Sequence, residues 1–390
     1  MPQTLLTEPA LEAPVSFAAV REDFPIARRG VYLNNASIGP LSNTVRRAVD
    51  RFNEDVSLNG REHYPQWCRF ADTEIKADLA RLIGASAAEI AFVKNTTEGL
   101  LLVANGLDWR PGDNVVVSEQ EYPSNVYCWM NLARRGVNIR WAPFREGRVR
   151  VEDLAERIDS RTRLVTLSGV QFSSGYRLDL PRVSELCRAR GVLLNLDMIQ
   201  HVGALELDVS ACPVDFLSAG GHKWMLGPIG TGIFYCRREA MNCIHPWNVG
   251  YHSVAKSEDH VDYDLTFRPD AGRFEEALVN FPGLYGLHAA ARTLLSLGLA
   301  RVETHILALN ARAVEGLRKR GCRILSPLGN GERSGILTFA HPRLEPEAVA
   351  ARLKEAGVAV AVRVGGVRIS PSIHNDAGDI DAFLAALPEA

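Results

Sequence analysis

The sequence predicts an α/β fold with a large domain built on a central, mostly parallel seven-stranded sheet and a smaller α/β C-terminal domain. Two observations support this prediction. Between residues 90 and 235, short apolar runs alternate with helical stretches, a pattern typical of parallel strands covered by helices on both faces. Beyond Pro282 the chain becomes mainly helical with two further strand-like runs, which indicates a second domain.

The apolar pattern also places the individual elements. The seven strands are predicted at 90–93, 114–117, 138–142, 164–167, 192–196, 214–217 and 232–235. Helices are predicted from about 43 onward, after a capping Ser42, and at 97–105, 124–135, 284–297, 302–318, 346–355 and 379–387. Strands of the smaller domain are predicted near 335–339 and 358–362. The chain then divides into an N-terminal arm that packs with the small domain (1–29), a large domain (30–282) and a small domain (283–390).

Composition and charge limit the function classes. The 390 residues are 46% hydrophobic and 23% charged, with a formal net charge of -2, so there is no electrostatic signature of nucleic-acid or membrane binding. We expect small-molecule partners. No bilayer-length apolar run and no secretory leader is recognised, which favours a cytoplasmic location. The seven cysteines are scattered without C-x-x-C spacing, so neither a disulfide framework nor a metal site is expected.

A glycine-rich stretch from 218 to 232 carries Lys223 between two predicted strands. A lysine on such a turn could be shielded from water, which lowers its pKa and makes the neutral amine available as a nucleophile. It could equally be a surface lysine in a flexible loop. The local pattern leaves both interpretations open.

Polar residues at the strand ends provide further candidates, because ligands of such sheets bind beyond the carboxyl ends of the strands. Asp197 ends the strand predicted at 192–196, and Gln200 follows three residues later. This carboxylate could hold a protonated ring nitrogen while the amide meets a neighbouring oxygen. Alternatively, Asp197 caps a following helix.

Two other strand ends are informative. Asn95 and Glu98 have capping-box spacing, and Thr96 and Thr97 lie between them. Free N–H groups and hydroxyls at a helix N-terminus form a phosphate cradle, although plain capping is an equal alternative. Tyr122 follows another strand, where its ring could stack on a flat ligand or simply pack.

Taken together, these motifs resemble pyridoxal-phosphate (PLP) enzymes of fold type I. Within that fold, the branch they resemble is the class V aminotransferases, with cysteine desulfurases and isopenicillin-N-epimerase-like proteins. The resemblance extends from about Tyr32 to the C-terminus and implies that residues 30–282 bind the cofactor. Lys223 in Gly-His-Lys-Trp resembles the lysine that forms the Schiff base, and Asp197 in Asp-x-x-Gln resembles the partner of the pyridinium nitrogen.

The resemblance assigns the remaining cofactor contacts. Gln200 matches the residue that bonds the cofactor's phenolic oxygen, and Thr96 and Thr97 resemble the phosphate-binding pair. His222 matches a second phosphate-binding or lysine-orienting group. Tyr122 stands where this branch usually stacks a histidine on the pyridine ring, and a tyrosine is a poor proton carrier near neutral pH.

Substrate contacts are implied in the same way. Arg368, in Arg-Ile-Ser-Pro-Ser-Ile-His-Asn, resembles the arginine that grips the substrate's α-carboxylate, for which a bidentate guanidinium is suited. Asn35, in Leu-Asn-Asn-Ala, resembles a residue near that carboxylate, although a bond to its own turn is the alternative. Family members are normally dimeric, so we expect a homodimer with shared active sites.

Several departures from the family pattern bear on the reaction. Desulfurases carry a nucleophilic cysteine just upstream of this arginine, whereas only four residues separate Arg363 from Arg368 and no cysteine follows Cys322. We therefore do not expect a persulfide-forming desulfurase.

Three further positions differ. Gly220 replaces a phosphate-binding serine, and Ala277-Leu278 replaces a Gly-Thr pair whose threonine reaches the neighbouring subunit's phosphate. Gly169 replaces a bulkier residue, which we expect to enlarge the substrate pocket.

The sequence leaves two function classes. The first is a PLP enzyme acting at Cα or Cβ of an amino acid, by transamination or by C–S bond cleavage of a cysteine-derived substrate, with epimerisation as an alternative. The second is a non-catalytic nucleotide-binding α/β protein. Against the second, residues 227–232 read G-x-x-G-x-G rather than G-x-G-x-x-G.

Overall fold

The computed structural model describes residues 15–256, 261 and 263–389. The strands are β1 (Val31–Tyr32), β2 (Ile90–Val93), β3 (Asn114–Ser118), β4 (Asn138–Ala142), β5 (Phe144–Arg145), β6 (Arg148–Val149), β7 (Thr162–Ser168), β8 (Leu193–Asp197), β9 (Phe216–Gly220), β10 (Gly232–Cys236), β11 (Arg323–Ile324), β12 (Leu337–Ala340), β13 (Val358–Ala359), β14 (Ala361–Arg363) and β15 (Gly366–Ile369). The α-helices are α1 (Phe17–Glu22), α2 (Asn43–Asn59), α3 (Tyr64–Phe70), α4 (Lys76–Arg81), α5 (Thr96–Gly106), α6 (Ser124–Met130), α7 (Val151–Arg157), α8 (Leu180–Arg190), α9 (Phe281–Leu297), α10 (Leu299–Lys319), α11 (Pro346–Glu355) and α12 (Ala377–Ala386).

The large sheet has seven strands in the order β2-β10-β9-β8-β7-β3-β4. Only β10 runs antiparallel to its neighbours. The carboxyl ends of the other six strands therefore lie at one edge of the sheet, where ligands of such sheets bind. The predicted fold class, with its mostly parallel seven-stranded sheet, is confirmed.

Hydrophobic clusters cover both faces of this sheet. Within β3, Val116 belongs to one cluster, while Val115 and Val117 belong to the other, because successive side chains of a strand point to opposite faces. Burial on both faces explains why these strands read as continuous apolar runs. A third cluster, which includes Phe339 and Phe383, forms the core of the small domain.

The small domain is built on an antiparallel sheet with the order β11-β12-β15-β14. Its strand β15 was not predicted. A separate parallel pair joins β1 to β13, so the start of the predicted large domain is tied to the C-terminal part of the chain. The division of the chain into three parts at residues 29 and 282 stays a prediction.

The described part of the N-terminal arm packs on the C-terminal elements. The Arg21 guanidinium donates to the Asp379 carboxylate at 2.6 Å, and the Phe17 ring stacks on His305 of α10 at 4.0 Å between ring centres. Residues 1–14 of the predicted arm lie outside the described residues. None of the described helices is long and apolar enough to cross a membrane.

Candidate active site

Lys223 lies on the turn between β9 and β10, as predicted. Strand β9 extends to Gly220, three residues beyond the predicted end. Gly220 pairs with Gly232 of β10, and a side chain at Gly232 would place its Cβ 2.6 Å from the Ala219 carbonyl oxygen. The glycines thus permit close backbone pairing up to the turn and hold Lys223 at the edge of the sheet.

The Lys223 amine is largely shielded from water. Burial lowers the pKa of the Lys223 amine to about 8. The negative charge of Asp197 opposes this shift, and the positive charges of Arg368 and Arg363 add to it. The amine nitrogen lies 5.5 Å from the centre of the Tyr122 ring. The shielded interpretation therefore holds, and a substantial fraction of the amine is neutral near pH 8.

Asp197 is the last residue of β8 and is only 3% exposed. One carboxylate oxygen accepts a hydrogen bond from the backbone N–H of Ile199 at 3.1 Å. Burial raises the pKa of Asp197 to about 6, opposed by this hydrogen bond and by the charge of Lys223. The residues that follow form turns, so the helix-cap interpretation of Asp197 is wrong.

The N-terminus of α5 combines capping with free polar groups. The Asn95 side chain accepts from the Glu98 backbone N–H at 2.9 Å, so the predicted cap is confirmed. The Thr97 hydroxyl donates to the Ser124 hydroxyl at 2.8 Å. Capping satisfies only one of the first-turn N–H groups, and the others remain available to an anion.

This helix terminus is joined to the Lys223 turn. The Thr96 hydroxyl oxygen accepts from the Gly220 backbone N–H at 2.9 Å. His222 lies one residue before Lys223, and its buried Nδ1 has no hydrogen-bond partner. Burial, and then the charge of Lys223, lowers the pKa of His222. The imidazole therefore favours its neutral form, and it lies against Gly220, since a Cβ added at Gly220 would be 3.2 Å from the His222 Nδ1.

The Gln200 amide is held in a defined orientation. Its Oε1 accepts from the Trp224 indole N–H at 2.7 Å, and its Nε2 donates to the Ala36 carbonyl at 3.0 Å. The amide nitrogen carries two hydrogens, so one remains for an acceptor such as a phenolic oxygen.

Tyr122 and Phe172 form an aromatic wall. Tyr122 is 44% exposed, and its ring meets that of Phe172 edge to face at 5.3 Å between centres. A half-exposed ring held in one orientation, with a face toward Lys223, can stack on a flat ligand.

Arg368, in β15, is a buried guanidinium at 1% exposure. It donates to the Phe172 carbonyl at 2.8 Å and to the Ser37 hydroxyl at 2.9 Å, while its Nε has no partner. Burial, and then the charge of Arg363, lowers its pKa to about 10. No carboxylate of the described residues pairs with it, so the arrangement calls for an external anion.

Asn35 is fully buried and contacts the Lys223 turn. Its Nδ2 donates to the Lys223 carbonyl at 3.3 Å, and its Oδ1 has no partner. The neighbouring Asn34 instead accepts from the Ser37 hydroxyl at 2.7 Å within its own turn. The local-turn alternative thus describes Asn34, and Asn35 faces the site.

Gly169 does not border the pocket as expected. A Cβ added at this position would lie 2.1 Å from the Met198 Sδ, and Met198 is fully buried. The missing side chain therefore accommodates the core behind the site, and the expectation of an enlarged substrate pocket is wrong.

Sequence patterns missed several residues of this site. Ser37 and the Phe172 carbonyl bind Arg368, and Trp224 fixes Gln200. Glu121 is a buried acid directly before Tyr122. Only Trp224, directly after Lys223, carried a local signal, because the other contacts depend on tertiary packing.

The donor set fits a flat cofactor with a phosphate and a ring nitrogen. The unpartnered His222 Nδ1 and the α5 terminus suit the phosphate, buried Asp197 suits a protonated ring nitrogen, and Lys223 suits a carbonyl carbon. Among the described residues, no group of three histidine, cysteine or acidic side chains could hold a metal ion.

Comparisons with known proteins identify the family of the chain. The model of the aminotransferase class-V family matches residues 31–383. A probable cysteine desulfurase of Methanothermobacter thermautotrophicus is 33% identical over 384 residues, covering 94% of this chain and 92% of the relative.

Solved structures are similar over nearly the whole chain. The cysteine desulfurase from Thermococcus onnurineus NA1 is 25% identical with a TM-score of 0.86, covering 96% of this chain and 98% of its own. The cystine C-S lyase in complex with its product cysteine persulfide is also 25% identical with a TM-score of 0.86, covering 93% and 98%.

Proposed function

The chain belongs to the aminotransferase class-V family, and from this premise we propose that it is a C–S lyase acting on a cysteine-derived amino acid. Its cofactor is pyridoxal 5'-phosphate. Lys223 would carry the cofactor, and Asp197 would hold its ring nitrogen. Phosphate contacts would come from Thr96, Thr97 and His222.

When bound, the cofactor supplies an electron sink that weakens the bonds at Cα of the amino acid. The chain supplies the proton transfer and the orientation. Arg368 binds the α-carboxylate, which fixes the Cα–H bond toward the amine of Lys223. Since the pKa of Lys223 is held near 8 by burial, the amine can accept this proton near neutral pH. Tyr122 excludes water from one side without competing for the proton.

The hairpin between β14 and β15 carries the choice of reaction. Arg363 and Arg368 flank a tight turn, Val364–Gly365, whose φ angles are 45° and 74°, and the segment contains no cysteine. Cys128 is buried in α6, and burial raises its pKa to about 12, with a further contribution from the negative charge of Asp197. Neither the hairpin nor Cys128 thus offers a thiolate to accept sulfur from the substrate, which supports elimination over persulfide transfer to the protein.

The reaction balances without an oxidant. Lys223 removes the Cα proton, the Cβ–S bond breaks, and its electron pair leaves with the sulfur, which takes up a proton. Water then releases the three-carbon fragment as pyruvate and ammonium. With cystine as substrate, the leaving group is cysteine persulfide.

A second arginine supports a substrate with two carboxylates. Arg363 lies opposite Gly366 in the hairpin, and Ala361 lies opposite Arg368, so Arg363 and Arg368 point to the same face. Neither guanidinium pairs with an acid of the described residues. An α-carboxylate would neutralise Arg368 and leave Arg363 for a distal carboxylate, as in cystine, the substrate named for one structural relative.

The proposal includes a cytoplasmic homodimer. Exposed Trp247 lines a groove of about 520 Å³ together with Asn95 and Thr97, and Leu278, where relatives have a threonine, is exposed as well. A second copy would cover these apolar surfaces beside the phosphate site. None of the seven cysteines, all of which lie in the described part of the chain, forms a disulfide, which agrees with a reducing compartment.

A substrate panel tests the reaction type. The holoenzyme is incubated with cystine, S-methylcysteine and alanine, and pyruvate, sulfane sulfur, amino-acceptor consumption and D-amino acid are measured. The proposal predicts pyruvate and sulfane sulfur from cystine without an acceptor. Keto acid formed only with an acceptor would establish a transaminase, and racemised amino acid would establish an epimerase. A protein that never binds the cofactor would favour a nucleotide-binding or other non-catalytic role.

A further inference from the structure

A buried acid lies behind the proposed cofactor site and has no part in the mechanism above. Glu121, in the loop after β3, is only 8% exposed, and the next residue is Tyr122. One carboxylate oxygen accepts from the Ser168 backbone N–H at 2.9 Å. The other accepts from the Ser168 hydroxyl and from the Asn125 side chain at 3.1 Å.

These bonds connect Glu121 to Asp197. Ser168 ends β7 and pairs with Asp197 at the end of β8. The N–H of Gly169 also donates to the Asp197 carbonyl at 2.9 Å. By holding both the N–H and the hydroxyl of Ser168, Glu121 fixes the strand end that lies beside Asp197.

A chain of buried donors extends this connection across the sheet. The Asn195 side chain donates to the Thr166 hydroxyl at 3.0 Å, and Thr166 donates to Asn125 at 2.7 Å. Asn125 in turn donates to Glu121. Each bond is oriented so that its donor points toward the carboxylate, and aligned dipoles of this kind strengthen one another in a buried setting.

We propose that Glu121 is a positioning residue that holds the end of β7 beside Asp197, and that its negative charge favours the protonated form of the bound cofactor. The proposal rests on the assignment of this site to PLP. A carboxylate on an ordinary surface loop would have little effect on the protonation of the cofactor, because solvent would screen its charge.

The titratable groups around Glu121 make its charge variable near neutral pH. Burial raises the pKa of Glu121 to about 7, the bonds from Ser168 and Asn125 oppose this rise, and the charge of Asp197 adds to it. The charge of Asp197 also acts to raise the pKa values of Lys223 and Cys128, opposing the effect of burial in Lys223 and adding to it in Cys128. Tyr122 is the next residue after Glu121 in the chain. The carboxyl groups of Glu121 and Asp197, with pKa values of about 7 and about 6, therefore titrate in overlapping ranges, so that the ionisation of one affects the other.

The test is the pH titration of the visible absorbance of the bound cofactor in Glu121→Gln. Glutamine keeps the shape and removes the charge. A nearby negative charge stabilises a protonated group, so we expect the titration midpoint to fall by about one pH unit, a tenfold change in the protonation equilibrium. The control Glu119→Gln, an exposed acid two residues away in the same loop, should leave the midpoint unchanged.

Ser168→Ala provides a second variant should Glu121→Gln not fold. It keeps the carboxylate but removes one bond to its charged form, which raises the pKa of Glu121 further, so the midpoint should fall by less than in Glu121→Gln. A normal cofactor band with a midpoint unshifted in every variant that folds would overturn the role of Glu121 alone. A wild-type protein without any cofactor band would overturn the proposed function, and this inference with it.

Discussion

The amine nitrogen of Lys223 lies 5.5 Å from the centre of the Tyr122 ring. This contact places a cation over an aromatic face, in a position where relatives commonly have a histidine. The ring can attract the ammonium and exclude water, whereas a phenol in general carries protons poorly near neutral pH. We therefore propose that proton transfer at Cα falls to Lys223.

Tyr122 should act through its ring face rather than its hydroxyl. We expect Tyr122→Phe to bind the cofactor within about twofold of wild type, and Tyr122→Ala to bind it about fivefold more weakly, because a lost aromatic stack costs on the order of 1 kcal/mol. Absorbance titration of the cofactor-free protein measures both. Equal weakening in the two variants would assign the effect to the hydroxyl.

Lys223 should destabilise the cofactor-free protein below pH 8. Its pKa falls from 10.5 to about 8 on folding, so between these values the unfolded chain binds more protons and stability rises with pH. Lys223→Met removes this cost. The variant should be more stable than wild type by up to about 3 kcal/mol at pH 7, with the difference gone above pH 10.5.

Urea denaturation at several pH values measures this effect. The exposed Lys354 offers the matched control, since Lys354→Met removes the same charge without burial. A gain in the Lys223 variant that does not change with pH would show a packing effect rather than relief of a buried charge.

Arg363 and Arg368 should each bind a different carboxylate of the substrate. Arg363→Ala should raise KM for cystine by about tenfold or more and leave KM for S-methylcysteine unchanged, since a charge-assisted hydrogen bond contributes about 1.5–3 kcal/mol. Arg368→Ala should raise KM for both substrates. Equal effects of Arg363→Ala on the two would argue against a distal carboxylate site.

Gly169 should matter for stability rather than for substrate choice. In Gly169→Ala the new methyl would meet Met198 at 2.1 Å, and overpacking of this kind costs about 1–3 kcal/mol. Met198→Ala alone leaves a cavity, so the double variant should lose less stability than the sum of the two single variants. Thermal denaturation and KM measurements on the single and double variants check this prediction. A changed KM with unchanged stability would indicate that Gly169 borders the substrate pocket after all.

Sequence patterns predicted the parts of this molecule that carry strong local signals. The bounds of β2 and α11 agree with the prediction, because one is a buried apolar run and the other an amphipathic helix with an early proline. Lys223, Asp197 and Thr96 stand out because each lies at, or within three residues of, the carboxyl end of a strand.

The residues missed are those whose role depends on distant partners. Strand β15 begins with a glycine and has Arg368 in its interior. Because glycine is a weak strand former and arginine interrupts the apolar run, the sequence of β15 does not show the pattern of a buried strand. Glu121 looks like an ordinary loop acid, and its distant partner is Ser168 of β7, which lies 47 residues away in the chain.

The most direct test of the central claim is the ratio of pyruvate to alanine formed from cystine or cysteine by the holoenzyme, with Lys223→Ala as control. Elimination through Lys223 predicts one pyruvate for each C–S bond broken in cystine, no alanine from either substrate, and no product from the variant. Alanine formed together with sulfur bound covalently to the protein would contradict the account and establish a persulfide-forming desulfurase.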